Sequence, residues 1–157
     1  MTDPRTAPRQ TVLVTSMASD SHTWNLVYLQ LLLEELGYDV VNLGPCVPDD
    51  LLVSRCAGTD PAFVVISSVN GHGHQDGLRV IRKLRAHPDL ITTPVVIGGK
   101  LGVDGMSSAR AHALREAGFD EVFEEVADPA AALAAFAGSL PHAAPRGPVP
   151  VPLRTAR

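Results

Sequence analysis

Three short stretches of this sequence carry side chains that could do chemistry. The first contains Asp20-Ser21-His22-Thr23-Trp24-Asn25. An Asp two residues before a His can accept a hydrogen bond from one imidazole nitrogen. That bond fixes the tautomer and raises the basicity of the other nitrogen, as a supporting carboxylate does for a metal-binding His. The same residues have a plainer use, in which Asp20 or Thr23 caps a helix and His22 is a solvated loop residue. The second stretch, Ser67-Ser68-Val69-Asn70-Gly71-His72-Gly73-His74, offers small hydroxyl side chains that leave room for a bulky ligand, and glycines that allow close backbone approach. His72 and His74 could hold a metal, but beyond Asp76 no third ligand accompanies them, so a solvated Gly-rich turn is the expectation. The third is Gly98-Gly99-Lys100-Leu101-Gly102, whose paired glycines either open space for a ligand or serve a tight turn.

The elements that must position these stretches are legible as alternating strand and helix patterns. Thr11 to Thr15 is a continuous β-branched run, as expected of a strand covered on both faces. Trp24 to Leu36 is nearly all apolar at helical spacing, with Gly37 as its stop. Asp39 to Leu43 reads as a strand, and Pro48 to Ala57 as a helix with Asp49 and Asp50 in its first turn. Ala62 to Ser67 is a third strand, followed by a helix from Gln75 to Ala86 that puts Leu78, Ile81 and Leu84 on one face. Pro94 to Ile97 is a fourth strand and Ser107 to Ala117 a helix ended by Gly118. Glu121 to Glu124 is a charged edge strand, and Pro129 to Ala137 a last Ala-rich helix. Five strands each followed by a helix predict an α/β fold: a doubly wound, five-stranded parallel sheet of flavodoxin-like (Rossmann-like) order 2-1-3-4-5. In such a sheet ligands sit beyond the carboxyl ends of the strands, and all three stretches fall on that rim.

Composition sets the outer bounds. The 157 residues are 45% hydrophobic and 19% charged, enough for one domain with a real core. The net charge of −4 has the wrong sign for a phosphate-tracking surface, so no nucleic acid is expected. Five of the thirteen prolines, with Arg146, Arg154 and Arg157, lie in the last seventeen residues. We therefore expect a flexible N-terminus at 1–9, a folded domain at 10–139 and a Pro/Arg-rich disordered tail at 140–157. Cys46 and Cys56 form no Cys-x-x-Cys pair and are expected to be reduced and at least partly buried. No apolar run reaches the ~20 residues that cross a bilayer, and residues 1–10 lack a cleavable apolar leader, so a cytoplasmic protein without membrane association is expected.

The usual occupants of this fold can be tested against its loops. A phosphorelay receiver needs acids after strand 1 and an acceptor Asp at the end of strand 3, where this chain has Ser16 and Ser67. No Gly-x-Gly-x-x-Gly follows strand 1, and Lys100 is followed by Leu101 rather than the Ser or Thr of a Walker loop. A flavin-phosphate loop stays open, because Thr15, Ser16, Ser19 and Ser21 could cradle a phosphate at a helix start.

Taken in order, the three stretches resemble the cobalamin-binding domain of adenosylcobalamin-dependent mutases, most closely the small subunits of glutamate mutase (methylaspartate mutase). That family carries Asp-x-His-x-x-Gly after strand 1, Ser-x-Leu after strand 3 and Gly-Gly after strand 4. Here the matches are Asp20 to Asn25, Ser67-Ser68-Val69 and Gly98-Gly99. The similarity extends through Gly37 to Gly44 and Ala117 to Asp120, covering roughly residues 10–137 at the level of the fold. Two positions depart from the pattern: Asn25 stands where the family has Gly, beside Trp24, and Val69 replaces Leu.

The resemblance implies a cobalamin held base-off, with His22 as the lower cobalt ligand and Asp20 supporting it. It implies that the displaced nucleotide tail enters a slot where Ser67 hydrogen-bonds the benzimidazole and Gly98 and Gly99 leave room. The expected cofactor-binding residues are Asp20, Ser21, His22, Thr23, Asn25, Ser67, Val69, Gly71, Gly98 and Gly99, with His22 as the metal ligand and no catalytic residue on this chain. The implied activity is radical isomerisation of an amino acid with adenosylcobalamin, as one component of a hetero-oligomer. Because a substrate barrel takes roughly 250 residues, it is expected on a large TIM-barrel partner subunit. Two alternatives remain at this point: a stand-alone corrinoid carrier or sensor, motivated by Asn25, and a flavodoxin-like flavin binder.

Overall fold

The computed structural model describes residues 8–141, so most of the expected flexible N-terminus (1–9) and of the expected tail (140–157) lies outside the described residues. Five strands, β1 (Thr11–Thr15), β2 (Asp39–Asn42), β3 (Phe63–Ser68), β4 (Val95–Gly99) and β5 (Glu121–Glu124), alternate with five helices. These are α1 (Trp24–Glu35), α2 (Asp49–Thr59), α3 (Gly73–Ala86), α4 (Ser108–Ala117) and α5 (Pro129–Ser139). The strands pair in parallel in the order β2-β1-β3-β4-β5, as the alternation predicted.

Two apolar layers hold the sheet. On one face Leu13, Val64, Ile66 and Ile97 pack with Leu52, Ile81 and Leu114 from α2, α3 and α4. On the other, Val12, Val14, Val65 and Val96 pack with Leu26, Leu33 and Leu133 from α1 and α5. Residues 63 to 68 are buried throughout, which is why β3 is a continuous apolar run and not an alternating one. Helix α1 is apolar nearly all round, yet Trp24, Val27, Tyr28 and Leu31 on its outer side are exposed.

The glycine-rich strand ends run further than their side chains suggested. Ser67 and Ser68 pair with Gly98 and Gly99, so β3 reaches Ser68 and β4 reaches Gly99 rather than stopping at Ile97. A parallel ladder is made by backbone groups, which glycine supplies as well as valine does. Helix α3 likewise begins at Gly73, two residues before Gln75, and glycine is required there because a Cβ would lie 2.6 Å from Leu101 and 2.8 Å from the Ser68 hydroxyl. The cysteine expectation needs one correction: Cys56 is buried, but Cys46 is exposed, in a loop where it adopts φ 53.

Candidate functional site

Parallel pairing brings the carboxyl ends of β1, β3, β4 and β5 to one rim, where the three sequence stretches meet. The loop after β1 turns inward, so that Asp20 is 1% exposed while the side chain of His22 remains 47% exposed. Asp20 Oδ1 accepts from the His22 backbone N–H at 3.0 Å and lies 2.7 Å from His22 Nδ1. Its Oδ2 accepts from the Val69 N–H at 2.7 Å, tying the loop after β1 to the end of β3. Burial raises the pKa of Asp20, but the N–H groups of Val69 and His22 and the His22 ring outweigh it and hold the carboxyl below its ordinary value. An ionised carboxylate only accepts, so Nδ1 carries a proton, and in the neutral ring Nε2 is the nitrogen with the free lone pair. Asp20 therefore does not cap α1. Thr23 occupies the N-cap position without a side-chain cap bond.

Beside this pair a cleft of about 360 Å³ opens between the sheet and the helices α1 and α5. Its walls are apolar: Tyr28 and Leu29 of α1, Val65 and Val96 of the sheet, Phe123, and Leu133 of α5. Ser67, Val69, Gly98 and Gly99 line it, as does Asn25, which is 6% exposed. The Asn25 amide donates to Ser67 Oγ at 2.6 Å, while its Oδ1 is buried without a partner. The indole of Trp24 borders the cleft but is 69% exposed, so it does not plug it.

The paired glycines serve the backbone as well as the cleft. Gly99 has φ +110, and a Cβ there would lie 2.1 Å from the Ser68 carbonyl oxygen, whereas one at Gly98 would press on Phe123. Gly71 stands elsewhere, against the loop after β4, where its N–H donates to the Lys100 carbonyl and a Cβ would meet Val103 at 2.9 Å. Ser21 and Thr23 are exposed on the loop that carries His22. The lining residues missed from the sequence include Tyr28, Leu29, Phe123, Glu125, Val126 and Leu133. Helical spacing from Asn25 would have found Tyr28 and Leu29, and alternation along β3 pairs Val65 with Ser67 on one face.

Other chemistries fit the rim less well. Thr15 and Ser16 are fully buried and donate to backbone carbonyls, and Ser19 donates to the Asp76 carboxylate. Three of the four hydroxyls proposed for a flavin phosphate, all but the exposed Ser21, are thus engaged within the fold. Among the described residues no group of three His, Cys, Asp or Glu side chains converges on a metal site. The Asp76 carboxylate is instead held by Arg79 at 2.8 Å and by the Ser19 hydroxyl. What the rim offers is one oriented imidazole, which suits a metal already held by a macrocycle. No described helix is long and apolar enough to cross a membrane.

Comparison with known proteins places the fold in a family. The B12 binding domain family matches residues 10–134. Glutamate mutase sigma subunit 1 of Haloarcula marismortui is 32% identical over 126 residues, 79% of this chain and 82% of that protein. Among solved structures, a cobalamin-binding protein from Desulfitobacterium hafniense superposes with a TM-score of 0.66 at 20% identity, over 83% of this chain and 58% of that one. A chemotaxis protein from Vibrio cholerae gives 0.63 at 11% identity, over 83% of this chain and 98% of that one, a likeness of fold alone. Since the family match runs from the first strand into the last helix, the chain belongs to the B12-binding domain family.

Proposed function

We propose that this chain is the cobalamin-binding subunit of a carbon-skeleton mutase, glutamate mutase or a close relative converting glutamate to 3-methylaspartate. The family match and the glutamate mutase sigma subunits among its relatives support the assignment. The observation that carries it is the Asp20–His22 pair at 2.7 Å on the rim of an apolar cleft.

The residues present fit the cofactor. His22 Nε2 is the atom that would hold cobalt, and Asp20 would keep the ring turned and its Nδ1 protonated. The cleft, with Ser67, Gly98 and Gly99 along it, would take the nucleotide tail, and its unpartnered Asn25 Oδ1 marks a polar spot that the protein alone leaves unmatched. When bound, adenosylcobalamin supplies the adenosyl radical that abstracts a substrate hydrogen; this chain's part is to seat and orient it. The relatives are named as subunits of glutamate mutase, so the substrate site is assigned to a large TIM-barrel partner, for which roughly 250 residues are needed. The exposed apolar side of α1, with Trp24, Val27, Tyr28 and Leu31, is a surface of the kind that association covers.

The test is a visible-absorption titration with hydroxocobalamin, comparing wild type with His22→Gly. The expected result is an imidazole-ligated, base-off spectrum in the wild type that the variant lacks. No spectral change in the wild type overturns cobalamin binding, and equal spectra in both acquit His22. Isomerase activity is expected only after addition of the large subunit. A second reading, a corrinoid carrier or sensor without isomerase activity, is favoured by Asn25 in place of the family's glycine. Turnover with the large subunit would exclude it.

A further inference from the structure

Asn25 is more than a tolerated replacement for glycine. It lies in the first turn of α1, buried, with its side chain in the cleft beside Ser67. Its Nδ2 donates to Ser67 Oγ at 2.6 Å, which leaves the Ser67 hydroxyl hydrogen free to donate onward. Its Oδ1 has no hydrogen-bond partner, although buried amide oxygens almost always have one. The pair therefore holds one donor and one unmatched acceptor side by side, in a cleft whose other lining side chains are apolar apart from Glu125.

We propose that Asn25 is a specificity-determining residue for the corrinoid's nucleotide tail, with Oδ1 accepting a hydrogen bond from an N–H or O–H of that tail. The inference rests on the cobalamin reading above. Dimethylbenzimidazole released from cobalt has a ring nitrogen that accepts, which can satisfy the Ser67 hydroxyl, but it has no donor for Asn25. Within the nucleotide the donor must come from a ribose hydroxyl or from an amino or hydroxyl group on a different lower base. A site built around a buried acceptor discriminates against a ligand that leaves it unpaired.

Dissociation constants of wild type and Asn25→Leu, which removes the amide at similar volume, would be measured with three corrinoids: cobinamide without a tail, cobalamin, and its adenine-bearing analogue. Loss of one buried hydrogen bond predicts about a tenfold weakening with a tailed corrinoid and none with cobinamide. Weakening with both tailed corrinoids assigns the donor to ribose, and weakening with the adenine form alone assigns it to the base. Unchanged affinity for both tailed corrinoids overturns the proposal, as does an equal loss with cobinamide, which would report a damaged fold. Failure of the wild type to bind any of the three would instead overturn the cobalamin reading itself.

Discussion

Asp20 Oδ1 lies 2.7 Å from His22 Nδ1, and the other oxygen of the same carboxylate is held by the Val69 N–H at 2.7 Å. The carboxylate thus serves the fold and the imidazole together. Asp20→Ala strands the part-buried Val69 N–H and should cost about 1–2 kcal/mol in urea unfolding. His22→Ala removes a half-exposed ring and should stay within about 0.5 kcal/mol. Equal losses in the two variants would show that Asp20 has no structural duty beyond its His.

Two glycine substitutions should move stability in opposite directions. Gly99→Ala drives a Cβ against the Ser68 carbonyl in a left-handed backbone and should destabilise by about 2 kcal/mol or more. Gly58→Ala, exposed within α2 with open space around its Cβ, should stabilise by about 0.5–1 kcal/mol. Thermal melts of the two variants against wild type decide the matter.

Acid should erode the link between α2 and α3. Asp49 accepts from Arg79 Nε at 2.6 Å and Nη2 at 3.1 Å, and Lys83 lies 3.3 Å away. The Arg79 hydrogen bond, ahead of the opposing effect of burial, holds Asp49 below its ordinary value of 3.8. A carboxyl depressed on folding stabilises fully above its unfolded pKa, and that contribution is lost as the pH falls through the lower folded value. Asp49→Asn should therefore cost about 1 kcal/mol at neutral pH, allowing for solvent screening of the half-exposed Arg79, and progressively less below pH about 3.8. A pH-independent difference in melting temperature would contradict this.

The two thiols should separate cleanly. Burial pushes Cys56 up to about 12, whereas Cys46 is exposed. Mass spectrometry after brief iodoacetamide treatment should find one alkyl group, on Cys46, with Cys56 modified only after urea unfolding. Rapid double labelling of the folded chain would refute the placement of Cys56.

The sheet was legible because buried parallel strands are written as β-branched runs such as Thr11–Thr15, and because helix stops such as Gly37 and Gly118 have left-handed backbones. Strand ends were less legible at Gly98 and Gly99, where pairing proceeds through the backbone and leaves no side-chain pattern. The Asp20–His22 pair could be foreseen because its partners are two residues apart. The bonds from Val69 to Asp20 and from Asn25 to Ser67 join residues 49 and 42 positions apart, and local spacing carries no trace of them. Nor did it show that Ser16 and Ser19 are already engaged, since that depends on a carbonyl and a carboxylate brought in from distant parts of the chain.

The bond from Val69 to Asp20 also sets an order of events. An emerging polypeptide that has left the ribosome only as far as α2 has its histidine but not the strand whose terminal amide pins the aspartate. Until β3 slots in alongside β1, the aspartate has only its own histidine to hold, and the loop that carries both is not yet fastened to the sheet.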